Sequence, residues 1–304
     1  MELNVGSLKA ASRVTRALPK PVTAGLSRAI SLGAARFSPE QRLMAERNMR
    51  RVLGPGVPEA VVQRKTQQVF DSYARYWVET LEVPHLSAAQ VDRGFTYSGL
   101  DHIADSLARG VGPILALPHV GGWEWAARWL HSVAGWKVAA VAEKLEPVEL
   151  FEWFLDLRRS LGLHIIPLEE GAALEIGAAI LNGEIMCLLA DRDVVGGGVE
   201  VTFFGERTRV PFGPALLALR TGAPILPTAV YFVGDHCHGA VGEPVPVEST
   251  GDTRADVARI TQDLVHRMED QIRQAPEQWH LLQPNWPSDY EALGLPVPDA
   301  DAPA

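Results

Sequence analysis

The strongest limit on the fold comes from short apolar runs that alternate with helical segments from about residue 99 onward. The runs are rich in β-branched residues, and the segments between them place apolar residues at helical spacing. The strands predicted in this way are Pro113–Leu117, Val138–Val141, His164–Pro167, Ile185–Ala190, Val199–Phe204 and Ile225–Phe232. The helices predicted between them cover residues 121–134, 147–160, 171–181 and 213–221. This alternation indicates βαβ units, and so a single α/β domain whose central, largely parallel or mixed β-sheet is flanked by helices.

The N-terminal segment differs from the rest of the chain in charge. Residues 1–54 carry ten Lys and Arg residues against three Asp and Glu residues, although the whole chain has a net charge of −9. The first predicted helix sets apolar residues opposite cations, namely Leu8, Ala11, Val14 and Leu18 opposite Lys9, Arg13 and Arg16. Two interpretations are open: this amphipathic helix packs on the body, or it lies on an anionic membrane surface. Because the body is acidic, a phospholipid surface is a better partner than nucleic acid.

Other helices and the chain end complete the predicted organisation. A second N-terminal helix ends near Phe37, and Ser38 followed by Pro39 is typical of the start of the next one. Two longer helices are predicted over residues 58–81 and 253–274. The predicted divisions are N-terminal amphipathic helices over 1–54, an α/β domain over 55–290 and a disordered tail over 291–304.

Several classes of protein are excluded by what the sequence lacks. The longest apolar runs, Pro113–Pro118 and Ile185–Ala190, are far shorter than the ~18 to 20 residues that a membrane span needs. Cations interrupt the N-terminal apolar stretch, so a secretory signal peptide fits poorly. Cys187 and Cys237 are too few and too isolated for a disulfide scaffold or a structural zinc site. A reducing cytosol fits this cysteine content best.

Common nucleotide, hydrolase and metal motifs are also missing. The sequence contains no GxGxxG, GxxxxGK[ST], GxSxG or HExxH pattern. The polar cluster Asp235–His238 is predicted to be a turn between two strands and not a metal site, and Gly196–Gly198 is predicted to be a loop. No cofactor and no metal are therefore expected.

The most informative motif is Leu117-Pro118-His119-Val120-Gly121-Gly122-Trp123-Glu124, where a predicted strand ends and a helix begins. His119 lies at the carboxyl edge of the predicted sheet, which is where α/β folds bind ligands. An imidazole there can accept the proton of a hydroxyl, and a carboxylate such as Glu124 can fix its tautomer. Gly121 and Gly122 leave backbone N–H groups unshielded at the helix start, where they are expected to stabilise an oxyanion.

Further motifs follow in a fixed order and carry a family resemblance. Asp191-Arg192-Asp193 follows a predicted strand, and Phe203–Pro227 has the pattern FFGxxxxxPxGPAxLAxxTGAPxxP. Together with the HxGxWE motif, these segments resemble the lysophospholipid-type acyltransferase superfamily, in the branch of the lipid A late acyltransferases and the phosphatidylinositol mannoside acyltransferases. The resemblance to the mannoside group is carried by Ala142–Leu145, by Arg158 with Ser160-Leu161-Gly162, and by Gln278–Trp286. It covers about residues 40 to 286.

The resemblance implies roles for individual positions. The family histidine is the catalytic base, which corresponds to His119. Its carboxylate partner corresponds to Glu124 in glycerolipid enzymes and to Asp191 in the mannoside branch, where the family has a glutamate. Asp191 is favoured because it ends a neighbouring strand, but both remain candidates. Arg158 corresponds to an arginine near the acyl donor and its phosphate, and Glu143 to a segment beside the acceptor pocket.

Simpler interpretations stand beside these roles. Without the resemblance, Arg158 would be one cation of a solvated helix face, and Arg192 would be held in an ion pair by its flanking aspartates. Trp123 is predicted to be a packing residue. His280, between Trp279 and Leu281, is usually a buried core histidine, although we keep it and Arg192 as candidate substrate-binding residues.

The expected function is acyl transfer from acyl-CoA to a hydroxyl of an anionic glycolipid, the mannose of a phosphatidylinositol mannoside, at the cytoplasmic face of the cell membrane. The chain would bind there as a peripheral protein. A lysophospholipid or another glycolipid is the alternative acceptor. Two other classes remain open: a thioesterase that uses the same base on water, and a non-catalytic lipid-binding protein.

Overall fold

The computed structural model describes Gly6 and residues 20–144, 146–194 and 196–298. The predicted helix over Leu8–Leu18, with Lys9, Arg13 and Arg16, lies outside the described residues, as do residues 299–304 of the predicted tail. Within the described ranges, no helix combines the length and the apolar character needed to cross a membrane.

The described residues form eleven α-helices and nine β-strands. The helices are α1 (Lys20–Phe37), α2 (Pro39–Leu53), α3 (Glu59–Glu82), α4 (Ala88–Arg93), α5 (Leu100–Ala108), α6 (Trp123–Ser132), α7 (Val148–Ser160), α8 (Ala172–Leu181), α9 (Gly213–Thr221), α10 (Thr253–Gln274) and α11 (Pro287–Leu293). The strands are β1 (Phe95–Ser98), β2 (Ile114–Leu117), β3 (Val138–Ala142), β4 (His164–Pro167), β5 (Ile185–Leu189), β6 (Val199–Phe203), β7 (Glu206–Val210), β8 (Ile225–Val233) and β9 (His236–Val241). Short 3₁₀ turns occur at Val83–His85 and Pro276–Gln278.

Seven strands form one sheet in the order β1-β9-β8-β2-β5-β3-β4. Neighbouring strands are parallel except β8 and β9, which form an antiparallel hairpin. Helical crossovers return the chain between parallel strands, so the carboxyl ends of β2, β3, β4 and β5 share one edge. β6 and β7 form a separate hairpin, and its turn has positive φ at Phe204 (49°) and Gly205 (78°), as a type I′ turn requires.

Strand β2 shows how the sheet builds a core on both of its faces. Ile114 and Ala116 point into the core that α8, α9 and α10 cover. Leu115 and Leu117 point the opposite way, into the core under α6 and α7. Because side chains alternate along a strand and both faces are covered, all four residues are buried, as predicted for a central parallel strand.

The predicted α/β architecture is confirmed, and most predicted elements agree with the structure within two residues at each end. The predicted helices over 58–81 and 253–274 correspond to α3 and α10. Ser38 precedes α2 with Pro39 in its first turn, although among the described residues its hydroxyl has no capping partner.

Two strands, β1 and β7, escaped prediction, and the strand expected after Asp235–His238 begins earlier than predicted. The predicted turn at Asp235–His238 is wrong for its last three residues, which begin β9; the turn lies at Gly234 and Asp235. β1 is a short edge strand in which only Phe95 is buried, and β7 alternates charged with apolar or hydroxyl side chains. Such strands have no apolar run, so hydrophobicity alone does not reveal them.

Candidate active site at the carboxyl edge of the sheet

His119 follows β2 directly and precedes α6, so it lies at the carboxyl edge of the sheet, as predicted. The C-terminal segment fixes this turn, because the His280 N–H donates to the His119 carbonyl (2.8 Å). Gly121 approaches β8 so closely that a Cβ there would lie 1.8 Å from the Val230 carbonyl oxygen, and its φ is +62°. Only glycine fits this position. The His119 backbone is therefore held by two neighbouring segments.

Asp191 binds His119 at two points. The His119 Nδ1 lies 2.6 Å from Asp191 Oδ1, and the His119 backbone N–H donates to Asp191 Oδ2 at 2.9 Å. The Trp279 indole N–H also donates to Asp191 Oδ2, at 2.8 Å. β5 lies beside β2 in parallel, which is why both residues leave the sheet at the same edge. With Nδ1–H donated to the carboxylate, Nε2 is the nitrogen that remains to accept a proton.

The Asp191 carboxylate is buried completely. Burial raises the pKa of Asp191, but the charge of His119 and the hydrogen bonds from His119 and Trp279 outweigh this effect, so the net pKa lies below its ordinary value. Asp191 is therefore ionised at neutral pH. This arrangement of a buried carboxylate, an imidazole and a free ring nitrogen suits general-base catalysis.

Glu124 belongs to a second polar cluster. Its Oε1 accepts a hydrogen bond from the Tyr76 hydroxyl at 2.9 Å and lies 3.4 Å from a guanidinium nitrogen of Arg158. Glu124 is only 3% exposed. Burial and the Glu124 charge raise the pKa of Tyr76 well above its ordinary value. Although burial lowers the pKa of Arg158, its interactions with Glu124 and Tyr76 raise it overall, so Arg158 stays charged.

The backbone N–H groups expected to stabilise an oxyanion are engaged elsewhere. The Gly121 N–H donates to the Gln278 carbonyl at 3.0 Å, and the Gly122 N–H donates to the Val230 carbonyl at 3.2 Å. The geometry therefore corrects the expectation for these two glycines: they allow close backbone packing and do not present free donors. The sequence pattern could not reveal this, because both acceptors come from distant segments.

The remaining candidate residues lie around this edge. Arg158, on α7, reaches the Glu124 cluster and not a solvated face. Glu143 is exposed directly after β3. Arg192 is half-buried next to Asp191, and its expected ion pair with a flanking aspartate is absent from the described part of the chain. Across the described ranges, no group of three or more His, Cys, Asp and Glu side chains is arranged to hold a metal ion.

His280 is buried beside the His119–Asp191 pair. Its Nε2 lies 2.9 Å from the Ser72 hydroxyl, and its ring contacts those of Tyr73 and Tyr76. Burial, together with the nearby charge of His119, lowers the pKa of His280 to about 3. His280 is therefore neutral at physiological pH. In this position it supports the His119 backbone and packs as a core histidine does.

The neutral state of His280 predicts a pH-dependent loss of stability. The unfolded chain takes up a proton on this histidine below about pH 6.5, whereas the folded protein does not until about pH 3. Its contribution to stability is thus complete above pH 6.5 and is lost as the pH falls. Between pH 7 and pH 5 we expect wild type to lose about 2 kcal/mol more unfolding free energy than His280→Gln, measured by urea unfolding. Equal losses in both proteins would contradict the assignment.

A cavity lies under α6 on the face of the sheet that Leu115 and Leu117 occupy. Its walls are almost entirely apolar and come from α5, α6 and six adjacent strands of the sheet, which are β1, β9, β8, β2, β5 and β3. Its charged lining residues are Glu124 and Arg158. Trp123 also lines it and meets the His119 ring edge-on, with ring centroids 5.7 Å apart. Trp123 thus joins the cavity to the His119–Asp191 pair.

A thiol in the cavity wall offers no nucleophile. Cys187 lines the cavity from the middle of β5. Burial raises the pKa of Cys187 to about 12, so the thiol stays protonated at neutral pH. Because only the thiolate attacks carbonyl carbons effectively, this cysteine is not set up for covalent catalysis.

Several residues of the site were not assigned roles by sequence reasoning. Trp279 donates to Asp191, the Asn285 amide donates to the Asp191 carbonyl at 3.0 Å, and Tyr76 binds Glu124. The first two lie within the Gln278–Trp286 segment that carried part of the resemblance. The order of motifs marked this segment as relevant, but only the fold shows that it encloses Asp191.

Comparisons with known proteins find sequence relatives over most of the chain. The family profile of the bacterial lipid A biosynthesis acyltransferases matches residues 8–288. A protein of Mycobacterium tuberculosis (strain ATCC 25618 / H37Rv) is 40% identical over 286 residues, which cover 90% of this chain and 85% of the relative. One of Mycolicibacterium smegmatis (strain ATCC 700084 / mc(2)155) is 37% identical over 284 residues, covering 91% and 89%. Both relatives are named phosphatidylinositol mannoside acyltransferase.

Proposed function

The chain belongs to the bacterial lipid A biosynthesis acyltransferase family, and from this premise we propose that it transfers a fatty acyl chain from acyl-CoA to a mannose hydroxyl of a phosphatidylinositol mannoside. The family and its relatives make it an O-acyltransferase of the lipid A and phosphatidylinositol mannoside type. The thioester donor, the mannose acceptor and the residue roles given below are our proposal. The observation that carries it is the His119–Asp191 pair beside a long apolar cavity.

The proposed reaction is direct transfer without an acyl-enzyme. The acceptor hydroxyl gives its proton to His119 Nε2 as its oxygen attacks the thioester carbonyl carbon. The tetrahedral intermediate then collapses, the carbon–sulfur bond breaks, and the leaving thiolate takes the proton back from His119. Asp191 keeps Nδ1 protonated and balances the charge of the imidazolium between these two steps.

Backbone donors for the oxyanion are available two residues further along than expected. Trp123 and Glu124 open α6, and within the described residues their backbone N–H groups have no hydrogen-bond acceptor. N–H groups in the first turn of a helix point toward the helix start, where the dipole also favours negative charge. We assign them the role expected of Gly121 and Gly122, since they are the free donors nearest His119 along the chain.

The cavity suits the fatty acyl chain. Six neighbouring strands line it, and at about 4.8 Å per strand they span roughly 24 Å across the sheet. Burial of an alkyl chain there is favourable by about 0.8 kcal/mol per methylene group. Trp123, which meets the His119 ring edge-on, would set the thioester next to the base, which is the position that transfer requires.

The charge pattern supports an anionic lipid surface as the place of reaction. The basic segment over residues 1–54 is suited to the cytoplasmic face of a membrane, where the chain would bind as a peripheral protein. Both cysteines are free thiols, as expected in a reducing compartment. Arg158 and Arg192 are the cations near the site that we propose for anionic parts of the two substrates.

Product analysis tests this function directly. Purified protein is incubated with acyl-CoA and separately with a phosphatidylinositol mannoside, a lysophospholipid and no acceptor, and products are identified by mass spectrometry. We expect one acyl group on a mannose of the first acceptor, formed faster than free fatty acid. Acylation of only the lysophospholipid would overturn the proposed acceptor. Free fatty acid alone would indicate a thioesterase, and binding without any product would indicate a lipid-binding protein.

A further inference from the structure

Arg192 stands beside the proposed catalytic pair. It follows Asp191 directly after β5, and Asp191 Oδ1 lies 2.6 Å from the His119 imidazole. The Arg192 residue is half-buried. A cation in such a place normally has a carboxylate or carbonyl partner, because burial without one costs free energy.

Arg192 lacks such a partner among the described residues, although most half-buried arginines have one. Arg47 and Arg51 bind Asp289, and Arg209 donates to the Gly198 carbonyl. Within the same part of the chain, Arg267 on α10 is the other half-buried arginine that neither a hydrogen bond nor an ion pair satisfies. Arg192 differs from Arg267 by its place next to Asp191.

Among the described residues, neither flanking carboxylate forms an ion pair with Arg192, and both accept hydrogen bonds from other groups. Asp191 accepts hydrogen bonds from His119 and Trp279. Asp193 accepts the backbone N–H groups of Gly196 (3.1 Å) and Gly198 (2.7 Å). The ion pair that the sequence left open as one interpretation is thus absent among the described residues, where the guanidinium N–H groups of Arg192 have no acceptor.

The positive charge of Arg192 acts on the Tyr290 hydroxyl, which belongs to α11. Partial burial raises the pKa of Tyr290, the positive charge of Arg192 opposes that rise, and the negative charges of Asp289 and Asp193 add to it. The Arg192 guanidinium therefore lies near α11. The Asn285 amide, which precedes α11, donates to the Asp191 carbonyl, so α11 begins beside Asp191.

We propose that Arg192 binds a substrate phosphate next to the His119–Asp191 pair and thereby selects phosphate-bearing substrates. The inference rests on the proposed function, because both acyl-CoA and a phosphatidylinositol mannoside carry phosphate. The planar guanidinium can bind two phosphate oxygens at once, which an ammonium group cannot do with the same geometry. The phosphate of the acceptor and those of the donor are two sources of the same chemistry.

Steady-state kinetics of Arg192→Gln with matched substrates tests the proposal. The acceptor is a phosphatidylinositol mannoside or a neutral alkyl mannoside, and the donor is acyl-CoA or acyl-pantetheine, which has no phosphate. With phosphate-bearing substrates we expect kcat/KM to fall roughly 10- to 100-fold, mainly through KM. With both phosphate-free substrates we expect wild-type kinetics. Arg192→Lys should keep part of the effect, and Arg267→Gln is the matched control.

The pattern of loss identifies the phosphate or overturns the proposal. A loss that disappears with the neutral mannoside assigns Arg192 to the acceptor phosphate, and one that disappears with acyl-pantetheine assigns it to the donor. Unchanged kinetics with every pair would refute phosphate binding. An equal loss with phosphate-free substrates would also refute it and indicate a structural role. If wild type itself transfers no acyl group, the proposed function fails, which is a different result from either of these.

Discussion

Replacement of His119 by asparagine or alanine is expected to reduce acyl transfer by about 10²- to 10⁴-fold, because it removes the general base. The two variants differ in what they leave for Asp191. An asparagine amide can still donate to Asp191 Oδ1, whereas alanine leaves that oxygen of a fully buried carboxylate without its 2.6 Å partner. His119→Asn should therefore melt close to wild type, and His119→Ala should be less stable. Initial rates with saturating donor and acceptor, together with thermal melting, measure both effects.

The control for His119 is a histidine outside the site. His266 lies exposed on α10 and contacts Gln262, so His266→Ala should retain wild-type turnover and stability. Loss of a general base costs at least about 10²-fold, so a folded His119→Asn enzyme that keeps more than about a tenth of the rate would show that His119 is not the base. Measurement of both proteins in one preparation separates loss of chemistry from loss of fold.

The sheet could be predicted from sequence wherever a strand is buried on both faces. β2 and β8 are runs of apolar residues, because parallel central strands meet helices on both sides. β1 and β9 could not be predicted in this way. In β9, buried Cys237 and Gly239 alternate with more exposed histidines, and neither cysteine nor glycine gives a strong strand signal. Their place in the sheet depends on pairing with each other, which only the fold provides.

In the candidate site too, roles set by neighbouring residues could be predicted from the sequence, and roles set by contacts between distant segments could not. His119 could be predicted from a local pattern, because a strand end followed by glycines and a helix is visible in the sequence. The engagement of Gly121 and Gly122 could not, since their N–H groups bind the carbonyls of Gln278 and Val230. Trp123 was predicted to pack, yet it lies against both the imidazole and the cavity. Roles that depend on contacts between distant segments required the structure.

The choice of partner for His119 shows why position in the fold matters more than spacing along the chain. Glu124 is five residues from His119, but its Oε1 binds Tyr76 and Arg158. Asp191 is distant in sequence, yet adjacent parallel strands bring it to the imidazole. Asp191 also contacts the backbone N–H of His119, so the shorter side chain reaches its partner because the two backbones are close. We therefore propose Asp191 as the orienting acid and Glu124 as the partner of Arg158.

Two isosteric variants distinguish these roles. In Asp191→Asn the new amide donates to Nδ1, which places the ring proton on Nε2 and blocks the base, so we expect kcat to fall by as much as about 10⁴-fold, as for the aspartate of a Ser–His–Asp triad. In Glu124→Gln the Tyr76 hydroxyl keeps its acceptor, but half-buried Arg158 loses its charge partner. We expect a loss of stability and a change in KM, with kcat reduced less than about tenfold.

pH–rate profiles and double variants with His119→Asn further distinguish Asp191 from Glu124 as the partner of His119. Asp191 is ionised throughout an assay range of about pH 5 to 9, because its pKa lies below the ordinary value of about 3.9. The acid limb of the wild-type pH–rate profile then reports another group, and in Asp191→Asn we expect this limb at lower pH, since the imidazolium loses its counter-charge.

Double variants give a second test. In the His119→Asn background, Asp191→Asn should cause little further loss of rate, because the two residues act as one unit, whereas Glu124→Gln should add its own effect. If Glu124→Gln moves the acid limb and is masked by His119→Asn while Asp191→Asn is not, Glu124 is the partner of the base.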